Sequence, residues 1–154
     1  MKQAELDAYI GDSYNTTMAS PPNISSFLIY QKTLVEPETR LVTLVGLYEH
    51  LMVPEEFPMP FQMEPVNILI KLTSLMGEYS FRLELSNLST EQILGRVETP
   101  KQTYQDKLEY YDLQFTIRGI LLPQFGRYAF ELFANEKPVG LKMISLQPAP
   151  KEVK

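Results

Sequence analysis

The strictest constraint on the fold of this chain is an unbroken two-residue alternation in residues 79–86. Apolar and polar side chains follow one another there in the order Tyr-Ser-Phe-Arg-Leu-Glu-Leu-Ser. Successive side chains of a β-strand point to opposite faces, whereas a helix brings every third or fourth side chain together. The segment therefore predicts a β-strand with one buried face and one solvated face.

Similar runs recur along the chain and are separated by short polar turns. They lie at residues 27–34, 41–49, 66–73, 79–85, 93–98, 111–118, 127–134 and 139–146. This pattern predicts an all-β fold, an antiparallel two-sheet β-sandwich of about eight strands. The predicted domain covers residues 24–146. Residues 1–23 form a short helical or irregular N-terminal arm in this interpretation, and residues 147–154 form a flexible C-terminal tail.

Composition excludes several classes of chemistry. The net charge is -5, and the Lys and Arg residues are scattered, which disfavours nucleic-acid binding. With no Cys and only His50, neither thiolate sites nor multi-histidine metal sites can form within one chain. No apolar run is long enough to span a bilayer, and residues 1–7 lack the apolar core of a signal peptide. We expect no cofactor, no membrane partner and a cytoplasmic location.

No catalytic motif stands out. Phosphate loops, dinucleotide fingerprints and nucleophile elbows need closely spaced glycines, whereas the seven glycines of this chain are dispersed. His50 lies beside Glu49 and before Glu55 and Glu56, a combination that could bind a metal or act as an acid and base. A solvated surface histidine is the more common meaning of such a pattern. The protein is therefore not expected to be an enzyme.

Residues 50–65 form the most distinctive segment, a predicted loop that contains four prolines. Such proline density disfavours helices and central strands. The apolar residues of this loop are the candidate interaction surface: Met52, Phe57, Met59, Phe61 and Met63. They could form an adaptable partner surface, or they could close the open end of the core. The second alternative is favoured. Tyr104, Tyr110 and Tyr111 offer a similar choice between ligand stacking and core packing.

Three segments carry a family resemblance. Residues 41–49 read Leu-Val-Thr-Leu-Val-Gly-Leu-Tyr-Glu and precede the pair Phe57-Pro58; residues 77–83 are a glycine turn followed by an alternating strand. Residues 126–140 then form a closing hairpin. In this order the chain resembles a family of small uncharacterised bacterial all-β proteins, a domain of unknown function, over about residues 24–146. The resemblance implies a sandwich-like fold and no activity, cofactor or site residue.

Three functional hypotheses remain from the sequence. The first is a non-enzymatic module for protein interaction or assembly, with a protein partner or a homo-oligomer. The second is a sandwich that binds a small ligand or a carbohydrate, because the chain is rich in tyrosine. The third is a hydrolase that uses carboxylates, although both Glu84 and Glu131 fall on predicted solvent faces.

Overall fold

The computed structural model describes residues 21–151, and these residues form an all-β structure. The described residues contain thirteen strands: β1 (Asn23–Val35), β2 (Val42–Leu47), β3 (His50–Val53), β4 (Phe61–Gln62), β5 (Val66–Thr73), β6 (Gly77–Tyr79), β7 (Phe81–Asn87), β8 (Ile93–Glu98), β9 (Gln102–Tyr104), β10 (Tyr111–Ile117), β11 (Leu121–Leu122), β12 (Gly126–Ala134) and β13 (Lys137–Pro148). No helix in this part of the chain is long and apolar enough to cross a membrane.

The strands form four sheets. One sheet has the order β10-β5-β1-β2, and a second has the order β3-β13-β12-β7-β8. Two small sheets pair β11 with β4 and β6 with β9. The all-β prediction is confirmed, but the strands are more numerous than the predicted eight because several are only two to four residues long.

The core is built by strands whose alternate side chains point inward. In β5 every second residue is fully buried: Val66, Ile68, Ile70 and Leu72. The inward row of β7 and the apolar side chains of β12 belong to the same hydrophobic cluster. Burying each large aliphatic or aromatic side chain contributes about 1.5–3 kcal/mol. The alternation that predicts the strands therefore also identifies the face that stabilises them.

Several loop predictions were wrong. Residues 50–65 were expected to stay outside the sheets, but β3 and β4 lie within them. Proline density does not prevent this, because β3 ends before Pro54 and joins the edge of its sheet. β3 also runs parallel to β13, so the sheets are not purely antiparallel. The expected loops at residues 99–107 and 121–126 likewise contain β9 and β11.

The boundaries of other predicted elements also shift. The predicted strand at residues 79–85 divides at Ser80, whose backbone N–H and C=O both bond to Asn135 in the turn between β12 and β13. The strand predicted to end at residue 146 continues to Pro148, and the N–H of Ala149 donates to Val53 at 2.7 Å. Residues 1–20 of the predicted arm and residues 152–154 of the predicted tail lie outside the described residues.

The side chain of Asn135 links this turn to the C-terminal end of β6. Its side-chain oxygen accepts the N–H of Ser80 at 3.0 Å, and its side-chain amide donates to the carbonyl of Glu78 at 2.9 Å. Its φ is 49° and that of Glu136 is 68°, as in the two-residue hairpin turns that match strand twist. Asn tolerates this left-handed conformation better than other residues with a side chain.

We expect Asn135→Gly to destabilise the fold by about 1–3 kcal/mol through loss of the side-chain hydrogen bonds. Asn135→Ala should cost roughly 1 kcal/mol more, because Ala must also adopt a positive φ. Urea unfolding followed by circular dichroism measures both values. Equal stability of the two variants would show that backbone strain at this position is negligible.

Candidate functional site

The most exposed apolar surface on a sheet lies at the end of the β1–β2 hairpin. Leu41 and Val42 expose 66% and 60% of their surface, and Leu34, Val35 and Leu47 are also exposed. Scattered exposed apolar residues are ordinary, whereas a contiguous group on one element often marks an interaction site. Leu34, Val35, Leu41 and Val42 lie together at this end and are named the hairpin patch below, whereas Leu47 pairs with Tyr30 at the other end of β2.

The hairpin patch exists because β1 is much longer than its neighbour β5. Pairing between β1 and β5 ends at Tyr30 and Asn67. Beyond that point β1 pairs only with β2, through the register from Lys32–Val45 to Val35–Val42. A two-stranded ribbon of this kind has no sheet on which to pack its apolar side chains.

A glycine shapes the base of this ribbon. Gly46 has a φ of 71°, and a Cβ there would lie 2.9 Å from the Cβ of Gln31 on the paired strand. Any larger residue would be both strained and too close to Gln31. The glycine inside this strand therefore marks a close approach of β2 to β1.

The predicted interaction residues of the 50–65 segment do not share one environment. Met63 is 3% exposed and belongs to the core, and Met59 and Phe61 pack against that core. Met52 and Phe57 are exposed, although the Phe57 ring still contacts the Phe61 ring edge to face at 5.5 Å. Three of the five predicted residues therefore pack in or against the core, and the other two, Met52 and Phe57, offer an exposed surface.

Sequence reasoning missed the hairpin patch, but a signal for it was present. Leu34-Val35 and Leu41-Val42 are adjacent apolar pairs on either side of a polar turn. Adjacent residues of a strand face opposite sides, so a hairpin with such pairs is apolar on both faces. In a ribbon that packs on no sheet, the apolar residues of both faces stay exposed.

The side chain of His50 links β3 to β13 by a hydrogen bond. Its Nδ1 lies 2.7 Å from the hydroxyl of Ser145, which also accepts a hydrogen bond from the amide of Gln147 at 3.1 Å. A shallow cavity of about 560 Å³ lies beside them, with Arg127 on its wall. A hydroxyl next to an imidazole is the starting geometry of nucleophilic catalysis.

The surroundings of His50 do not complete that machinery. Catalytic imidazoles are oriented by a third group, usually a carboxylate. Among residues 21–151 no carboxylate forms an ion pair with His50, and the neighbouring Glu49 pairs with Lys142 at 3.6 Å instead. Within the same residues no group of three or more His, Asp or Glu side chains could hold a metal ion. The His50–Ser145 contact therefore joins two strands.

The three candidate tyrosines of the sequence analysis also lie in different environments. Tyr104 packs edge to face against Tyr111 at 4.7 Å and against Tyr79 at 5.8 Å. Burial, together with the nearby Tyr111, raises the pKa of Tyr104. Tyr110 is exposed, and the ammonium of Lys71 lies 5.8 Å from its ring centroid. Two of the three predicted tyrosines thus pack on the core instead of forming a stacking platform.

Glu84 is the charged residue that the sequence placed on a solvent face and the structure buries. One of its oxygens accepts from Arg96 at 2.8 and 3.0 Å and from Arg82 at 3.2 Å. Arg82 also bonds to Glu136 and lies 4.2 Å from the Phe133 ring. The hydrogen bond with Glu136 is the main cause that raises the pKa of Arg82. In this cluster Arg82 and Arg96 neutralise the buried carboxylate of Glu84.

We expect Glu84→Gln to lower the free energy of unfolding by about 1–3 kcal/mol, because two arginines lose the shared negative charge of the carboxylate. Glu109→Gln, in an exposed loop, is the matched control and should change stability by less than about 0.5 kcal/mol. Urea unfolding of both variants measures the difference. Equal stabilities would show that the cluster is a surface ion pair of no energetic consequence.

A second concave region lies between β8 and β10. It has a volume of about 450 Å³ and is lined mainly by apolar side chains of the core, with Arg96 and Arg118 also on its wall. β8 and β10 are edge strands of the two larger sheets. This region was not identified from the sequence, because an edge-to-edge cavity depends on how two sheets are placed.

Comparisons with known proteins give one result. A family model described as a family of unknown function, DUF6941, matches residues 34–146. No curated protein matches the chain. The matched range begins in the hairpin, within β1, and ends in β13.

Proposed function

The chain belongs to the DUF6941 family of unknown function, and we propose that it is a non-enzymatic assembly module whose β1–β2 hairpin pairs with a second copy. The observation that carries this proposal is the open edge of β2. Among residues 21–151, β2 is the last strand of its sheet and is hydrogen-bonded on one side only, to β1.

Natural proteins protect open edges with charged residues, prolines or covering segments. Residues 41–48 read Leu-Val-Thr-Leu-Val-Gly-Leu-Tyr and contain neither a charge nor a proline. The described residues also include no segment hydrogen-bonded to the outer side of β2. This edge is thus ready to accept another strand, and its exposed Val42 and Leu47 would gain from burial.

The charge pattern favours a second copy as the partner. In a two-fold symmetric pairing of antiparallel strands, each surface meets its own equivalent. A charged strand would then oppose like charges, which is destabilising. The uncharged stretch 41–48 avoids that penalty in any register. Backbone hydrogen bonds would supply affinity, and the hairpin patch would supply the apolar contact.

The proposal also includes the sandwich architecture, the domain bounds, the location and a second contact surface. The two larger sheets share one hydrophobic cluster, which supports a β-sandwich with the small sheets at its ends. The domain would cover residues 24–146, between an N-terminal arm and a C-terminal tail. The proposed location is the cytoplasm, and Met52 and Phe57 would form a smaller accessory contact surface.

Light scattering coupled to size-exclusion chromatography tests the assembly. We expect wild-type protein at micromolar concentration to show twice the chain mass of 17.7 kDa. Val42→Lys should show the chain mass alone, because a lysine on an edge strand opposes pairing with another strand.

Leu108→Lys is the matched control, since Leu108 is 88% exposed but lies in the loop between β9 and β10. It should keep the wild-type mass, and both variants should keep the wild-type circular dichroism spectrum. A wild-type mass of 17.7 kDa across the concentration range would overturn the proposal. An unchanged mass for Val42→Lys would do the same.

A further inference from the structure

The cavity between β8 and β10 lies where the two larger sheets come to an end. In the part of the chain that the structure describes, β8 pairs with β7 only, and β10 pairs with β5 only. No strand pairing in the described residues joins β8 to β10, although both line the same cavity. Its volume of about 450 Å³ falls within the roughly 300–1,000 Å³ of small-molecule sites.

Gly95 is the reason that the cavity is not filled by the chain itself. It pairs in register with Leu85, and two residues further on Val97 pairs with Leu83. Leu83 and Leu85 are buried, and cross-strand partners share a face, so a side chain at position 95 would point inward. A Cβ built on Gly95 would have no neighbouring heavy atom within 4 Å.

A glycine inside a strand often marks a place where a ligand approaches closely. The φ of Gly95 is not among the positive values of this chain, so backbone geometry gives no reason for glycine there. Around the space are aliphatic and aromatic side chains from β7, β8, β12 and the segment after β10: Leu83, Leu85, Leu94, Val97, Ile120 and Phe130. The walls therefore suit a hydrocarbon chain.

Arg96 and Arg118 lie on the cavity wall and differ in whether a carboxylate neutralises them. Arg96 is neutralised by Glu84, from which its nearest nitrogen lies 2.8 Å away. Arg118 is exposed and has no ion pair among the described residues. A guanidinium at the edge of an apolar cavity is a preferred partner of a carboxylate, because it can donate two parallel hydrogen bonds.

We propose that this cavity binds an aliphatic carboxylate, with its hydrocarbon chain against the Gly95 side of β8 and its carboxylate at Arg118. The ligand would fill the space that Gly95 leaves open. Each buried methylene group adds to the hydrophobic driving force, and the head group gives orientation and selectivity. This site is separate from the hairpin patch, so it can be tested independently of assembly.

Isothermal titration calorimetry of the full-length protein with sodium octanoate tests the site, and 1-octanol is the uncharged comparison ligand. We expect one saturable site per chain for octanoate and at least tenfold weaker binding of 1-octanol. Arg118→Gln should weaken octanoate binding about tenfold, which corresponds to about 1.4 kcal/mol, and should leave 1-octanol unchanged. Arg127→Gln, an arginine beside the other cavity, is the matched control and should bind as wild type.

Gly95→Leu tests the location directly. A leucine side chain should enter the open space, so the thermal midpoint should stay the same or rise while binding of both ligands is lost. Three results would each overturn the proposal: no saturable binding of octanoate by wild type, equal affinities for octanoate and 1-octanol, or a folded Gly95→Leu variant that binds octanoate normally.

Discussion

The inward apolar row of β5 meets the inward rows of β7 and β12 in one hydrophobic cluster, and the rest of the structure depends on that contact. Val66, Ile68, Ile70 and Leu72 are fully buried. A one-residue slip of β5 would turn this entire row toward solvent, so the register of every neighbouring strand is set indirectly by the core. The small sheet of β4 and β11 serves the same core, because Leu122 belongs to the cluster and Phe61 packs against it.

The edge strands of the two larger sheets differ in how they are protected from pairing with another strand. β3 ends at Val53, just before Pro54, and β10 carries Asp112, which pairs with Lys71. β2 has neither protection, and β8 borders a space that its own glycine leaves open. We place the proposed interactions at these two edges: backbone pairing at β2, which carries no charge, and a hydrocarbon ligand at β8, which carries Arg96 and Glu98 but leaves a space at Gly95.

Alternation in the sequence predicted the long strands well, and β5 and β8 have the predicted bounds. The short strands β4, β9 and β11 were missed, because two or three residues carry no period of their own and pair only after the long strands have placed them. The site was harder to predict. The exposure of Val42 depends on where β5 stops, and the openness at Gly95 depends on the separation of two sheets. Neither quantity is local in sequence.

The parallel pairing of β3 with β13 has a consequence for how the chain is made. His50 and Ser145 are 95 residues apart in sequence, yet they are neighbours in the ladder. During synthesis β1 and β2 can pair within a few residues of leaving the ribosome, whereas β3 must wait until β13 has emerged. Until then β3 and the apolar residues that follow it stay uncovered. The parallel edge of this sheet can therefore form only after the C-terminal strand is available.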